Sequence, residues 1–186
     1  MKVRAGQLFV LAGLAAIACE PRSAKSSRGR SDAISSASTE MSGPSLFSSE
    51  TLSPALRALR AKAEGKWLRL EIRARDIVLQ AQDPRSSSAV VEYHYRDGAV
   101  GEPEQAKVRG KGLLADNLFD VADVKLEAIP ELAREAVRRI DSENGKVELV
   151  LVRRDLPEHD EVRVRVYVQS PRQGAYLDAD KSGQPF

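Results

Sequence analysis

The chain holds one cysteine, Cys19, and two histidines, His94 and His159. Thiolate-rich zinc and iron–sulfur sites need several cysteines, so a single thiol excludes them, and it excludes an internal disulfide as well. His94 lies in the strand-like run EYHYR, on the same side as Glu92 and Arg96, and His159 lies in DLPEHDE among Glu158, Asp160 and Glu161. The second of these reads as a solvated turn. No serine sits in the Gly-x-Ser-x-Gly elbow that presents a hydrolase nucleophile. Gly110-Lys111-Gly112 lacks both the earlier glycine and the following Ser or Thr of a phosphate loop. Asp178 to Gly183, DADKSG, matches the opening of a calcium loop. A full loop needs a bidentate Glu at its twelfth position, which would fall past Phe186, the last residue of the sequence. The stretch therefore reads as a terminal β-turn, with Asp178 and Asp180 offering no more than a weak, opportunistic calcium contact. These groups call for no catalytic residue, no metal site and no cofactor.

The position of Cys19 is more informative than its solitude. MKVR forms a short basic start, QLFVLAGLAAIA an apolar run, and Ala16 and Ala18 are small residues just before the thiol. The apolar run is shorter than the roughly 20 residues that span a bilayer. Basic start, short apolar core and small-residue cleavage site are the layout of a secretory signal. With Ala16-Ile17-Ala18-Cys19 at its end, the segment resembles the bacterial lipoprotein signal peptide. Ala16 stands where that class most often has leucine, and the nearest leucine is Leu14. The resemblance covers the first twenty residues. It implies cleavage of residues 1–18, acylation of Cys19 and a stable membrane anchor, because each buried CH2 of the acyl chains adds about 0.8 kcal/mol. In that class an aspartate after the cysteine signals inner-membrane retention, so Glu20 points to the outer membrane, where the periplasmic face is the expected location. Residues 19–50 are rich in serine and poor in large apolar groups, so they cannot bury enough surface to offset their ordering entropy. They read as a disordered tether, holding the rest of the chain on the order of 30 Å from the bilayer.

At 186 residues with 42% hydrophobic and 30% charged residues, the chain has room for one ordinary core under a heavily charged surface. The formal charge is +2, and loss of Lys2 and Arg4 with the signal leaves it near zero. Nucleic-acid binding needs clustered excess positive charge and is not expected.

Residues 51–186 read as an α+β domain. Ser53 and Pro54 are placed as N-cap and first residue of a helix with Leu52, Leu56, Leu59 and Ala63 on one stripe, stopped at Gly65. WLRLEIRAR, IVLQAQ and AVVEYHYRDG follow as strands, the last turning at Asp97-Gly98. The order then recurs. Ile129, Leu132, Ala133, Ala136, Val137 and Ile140 form a second helical stripe ending at Asn144-Gly145, and VELVLVRR, EVRVRVYVQ and GAYLDADKSGQP read as strands. The expectation is a tandem helix–three-strand repeat (51–106 and 129–186, joined by a connector, 107–128). An antiparallel sheet would carry both helices on one face. Leu118, Phe119 and Val121 should tuck the connector onto the core. This element order resembles the small periplasmic modules of the PepSY and beta-lactamase-inhibitor-protein-like kind, which implies binding in place of catalysis.

An antiparallel sheet can leave its second face in water. Arg69 and Arg73 alternate with Leu68, Leu70 and Ile72, and Arg163 and Arg165 with Val162, Val164, Val166 and Val168. These arginines, with Trp67 and Tyr167, are expected on the outward face, and Arg, Trp and Tyr dominate interface hot spots. The functional expectation is a lipid-anchored binding or inhibitory module acting on a protein or an anionic envelope polymer. The alternative is an envelope hydrolase with an unrecognised site.

Overall fold

The structure, a computed structural model, describes residues 44–108, 112–172 and 174–186. Cys19, the signal segment and most of the tether lie outside the described residues, as do Gly110 and Lys111. The described part is α+β, an eight-stranded antiparallel sheet with a few helices.

Helix α1 spans Ser49–Lys62, so it begins before the expected cap at Ser53 and contains Pro54 in its interior. Side-chain hydroxyls organise that earlier start. Thr51 Oγ1 donates to the Ser45 carbonyl at 2.5 Å and lies 2.9 Å from Ser48 Oγ. The folded region also begins before residue 51. Leu46 is buried, and its N–H donates to the Ala74 carbonyl at 2.9 Å. Leu46 and Phe47 supply the apolar anchor that the surrounding serines concealed. Helix α1 ends just before Gly65, whose φ of 95° places it in the left-handed region that glycine tolerates.

Strands β1 (Trp67–Ile72), β2 (Asp76–Gln82) and β3 (Val90–Arg96) form a meander. Asp97 and Gly98, at φ 53° and 84°, turn β3 into the short β4 (Ala99–Val100). This is the Asp-Gly hairpin chemistry that needs positive φ at both central residues. Strand β5 (Glu104–Gln105) pairs with β3. A short helix, α2 (Leu114–Asn117), and two 3-10 turns lead to α3 (Ile129–Ile140). Strands β6 (Lys146–Arg154), β7 (Val162–Gln169) and β8 (Gly174–Ala179) complete the sheet. Its order is β4-β3-β2-β1-β6-β7-β8, with β1 and β6 paired at the centre.

One core joins these parts. Leu70 lies opposite Leu79 on one side and Val152 on the other, and Val152 lies opposite Val164. Directly opposed residues share a face. Leu70, Leu79, Val152 and Val164 pack with Leu52, Leu56 and Leu59 of α1 and Ile129, Leu132 and Ala136 of α3 in a single buried cluster. Leu118 and Phe119 are buried and Val121 packs against the same cluster, so the connector closes onto the core as its apolar residues require.

Candidate functional site

The second face of the sheet follows from the same alternation. With Leu70, Ile72, Val164 and Val166 buried, Arg69, Glu71, Arg163 and Arg165 stand on the other side. The register aligns them in rows. Glu92, Gln80, Arg69, Arg153 and Arg163 lie opposite one another across β3, β2, β1, β6 and β7. The next row holds His94, Val78, Glu71, Leu151, Arg165 and Asp178.

The carboxylates on this face are shared. Glu71 contacts Arg69 Nη2 at 2.5 Å through one oxygen and Arg73 Nη1 at 2.8 Å through the other. Asp178 accepts from Arg165 Nε and Nη2 at 2.6 and 2.8 Å, and Arg163 Nη1 stands 3.8 Å from it. Arg163 Nε lies 3.3 Å from Asp155 Oδ2, close enough for charge attraction but without hydrogen-bond geometry. The bidentate hydrogen bonds that Arg165 donates to Asp178 raise the pKa of Arg165 well above its ordinary value, against the opposing effect of burial. Aromatic rings cover the two guanidiniums. Arg165 sits 4.2 Å over the Tyr176 ring and Arg163 4.8 Å over Phe186, both cation–π distances. Tyr167 and Tyr176 pack with ring centroids 5.9 Å apart.

Three expectations change at this level. Trp67 is fully buried in the core. The register shifts between Trp67 and Arg69, and a bulge of this kind interrupts the alternation, so the side chain turns to the apolar face. Trp67 also exchanges backbone hydrogen bonds with Phe119 of the connector, at 2.8 and 2.9 Å. Arg163 and Arg165 do occupy the outward side, but they are not freely exposed: their side chains retain 17% and 21% of full exposure. Asp178 and Asp180, the suggested calcium contacts, are engaged by protein donors. Asp178 holds Arg165. Asp180 Oδ1 accepts from the Ser182 hydroxyl and from the backbone N–H groups of Ser182 and Gln184, at 2.7 to 2.9 Å. Those bonds hold its carboxyl below the usual aspartate range. Among the described residues no group of three or more His, Cys, Asp or Glu is placed to hold a metal ion.

No protein-family model, curated protein or solved structure matches this chain.

Two features of this region carry only a faint signal in the sequence. Arg153 completes the row between Arg69 and Arg163, and its side chain is 46% exposed. It is the first of the two arginines that close VELVLVRR, a run that reads as mostly apolar, and only pairing with both neighbours reveals its place. His159 is not merely in a solvated turn. Its Nδ1 lies 3.1 Å from Asp155 Oδ2, and Asp155 is buried. The spacing of four residues within DLPEHD was the available signal. His94 Nε2 lies 2.9 Å from Glu92 Oε1 on the outward side, two positions away on the same strand.

Proposed function

We propose that this chain is a lipid-anchored binding module of a bacterial envelope, tethered through acylated Cys19 at the periplasmic face of the outer membrane. The outward sheet face engages an anionic partner, a protein or an envelope polymer, in a binding or inhibitory role without catalysis of its own. The observation that carries this reading is the sharing of carboxylates: Glu71 is divided between Arg69 and Arg73, and Asp178 between Arg163 and Arg165. Guanidiniums outnumber their counter-charges, and planar donors in that state suit carboxylate, phosphate or sulfate recognition. Arg73, Arg69 and Arg153 retain 42 to 46% side-chain exposure and form the accessible part of the face.

We also read α1-β1-β2-β3 and α3-β6-β7-β8 as two copies of one unit. The support is their matching element order and the central β1-β6 pairing, which sets the two meanders back to back. Likeness to PepSY and beta-lactamase-inhibitor-protein-like modules would follow from the same element order.

The hydrolase alternative rests on Asp155 and His159, the carboxylate and imidazole of a general-base pair. The hydrogen bonds of the described residues bring no hydroxyl to that ring. Turnover of an envelope substrate that is abolished by His159→Ala would replace the binding reading.

The test is a photo-crosslinkable residue at position 80, opposite Arg69 on the sheet side, compared with position 57 on the exposed side of α1, in the full chain in cells. Adducts from position 80 and none from position 57 are expected. Equal adducts, or none from either, would overturn the reading. For the anchor, Cys19→Ala should abolish fatty-acid labelling and release the protein from the membrane fraction. Membrane retention of the unlabelled variant would contradict it.

A further inference from the structure

At one end of the arginine row, where β1 and β6 meet the segment that follows β5, lies a groove of about 600 Å³. Arg69, Arg153, Arg154 and Lys107 line it, and no aspartate or glutamate is among its described lining residues. The counter-ions approach from outside and only partly. Glu71 takes one nitrogen of Arg69, Asp160 pairs with Arg154, and the carboxylate nearest Arg153 is Asp155 at 4.0 Å. Lys107 makes no ion pair among the described residues. The Nε–H groups of Arg69 and Arg154 are buried without an acceptor, so the two guanidiniums are not saturated by protein partners.

The groove has apolar lining as well. Leu113 and Val108 line it and are 70% and 52% exposed, two of the four large hydrophobic residues that stand most open to solvent among the described residues. Leu68, Leu114 and Leu156 continue the apolar lining. Exposed apolar surface beside convergent cationic groups is the layout of a site for a ligand with both characters. A polymer that is charged along its whole length would leave Leu113 and Val108 uncovered, and a neutral lipid would leave Lys107 without a counter-charge and Arg153 with Asp155 alone, 4.0 Å away.

We propose that this groove binds a single-chain phosphate amphiphile. The headgroup accepts hydrogen bonds from Arg153 and Lys107, with Arg69 and Arg154 completing the positive field, and the alkyl chain lies along Leu113 and Val108. Phosphate matches the site because a dianion answers several cations at once and guanidinium binds it bidentately. The proposal rests on the outward face being an anion-binding surface and names one ligand class at one end of it.

Titration calorimetry of the full-length chain carrying Cys19→Ala tests it, with decyl phosphate below its micelle concentration, inorganic phosphate and decyl maltoside as the three probes. Saturable one-to-one binding is expected for decyl phosphate alone. Leu113→Asp and Lys107→Glu alter exposed side chains, so folding should be retained, and each should weaken decyl phosphate by at least about tenfold, or roughly 1.4 kcal/mol. The proposal fails if decyl phosphate does not saturate, if either control probe binds as tightly, or if Leu113→Asp binds like the parent with an unchanged melt. The same proteins offered dextran sulfate separate the two levels. Dextran sulfate retained without decyl phosphate binding removes this proposal alone, and loss of both removes the reading of the face beneath it.

Discussion

Strands β1 and β7 both set arginines against aliphatic residues, and they settle on the sheet differently. In β7, Val164, Val166 and Val168 are buried while Arg163, Arg165 and Tyr167 hold the other side without a break. In β1 the bulge after Trp67 sends the indole into the core and leaves Leu68 half-buried, lining the groove. The arginines differ as well. Arg165 is clamped by Asp178 in front and Tyr176 above, whereas Arg73 reaches Glu71 from the exposed hairpin end and must share it with Arg69. One side of the face is therefore ordered by its own ion pairs, and the other keeps its charge available. Residue type alone does not separate a structural arginine from a recruiting one; the adjacent strand does.

The sharpest way to break this comparison is to delete the two aromatic residues once expected to be equivalent. Trp67→Ala removes a fully buried side chain and should cost about 3–5 kcal/mol of stability in urea denaturation. Tyr167→Ala loses a ring contact on the outward face, for which about 0.5–1.5 kcal/mol beyond its area is expected. Equal losses would place both rings in one environment and contradict the bulge. Next in size is the pair of arginines. Arg165→Ala strands Asp178 and should cost about 1–3 kcal/mol. Arg73→Ala should stay within about 0.5 kcal/mol, as exposed substitutions do.

The smallest effect concerns pH at the end of β8. The hydroxyl of Ser182 and the N–H groups of Gln184 and Ser182 lower the carboxyl pKa of Asp180 below its ordinary 3.8. A group whose native pKa is depressed contributes stability above its unfolded value and loses it as pH falls through the native one. The contribution of Asp180 should thus be complete above about pH 4 and fade below it. Asp180→Ala should lower the melting temperature slightly at neutral pH and converge with the parent in acid. A gap that widens on acidification would reverse the assigned direction.

Much of the frame was legible in the residues. The apolar stripes of α1 and α3, the alternation of β7 and the Asp97-Gly98 turn each carry a local signal, because the period and the turn chemistry are set within a few positions. What escaped depends on distant chain. The bulge at Trp67 accompanies a backbone bridge to Phe119, far along the sequence. The reduced exposure of Arg163 and Arg165 comes from Asp155 and Asp178, which reach them from a loop and from the neighbouring strand. The early start of α1 depends on Ser45, Ser48 and Thr51, hydroxyl residues that at the level of composition resemble the rest of the tether. The arginines therefore lie opposite the core as their alternation requires, whereas Trp67 lies in the core and Arg153 stands in their row.

The central claim is that Arg73, Arg69 and Arg153 keep charge available for an anionic partner. Binding of the full-length chain to dextran sulfate and to uncharged dextran, before and after Arg73→Glu with Arg153→Glu, tests it most directly. The account predicts salt-sensitive binding to dextran sulfate alone, and a loss of at least about tenfold in the double variant, since reversal turns attraction into repulsion; the variant should melt close to the parent. Undiminished binding by a well-folded double variant, or equal binding to both polymers, would contradict it.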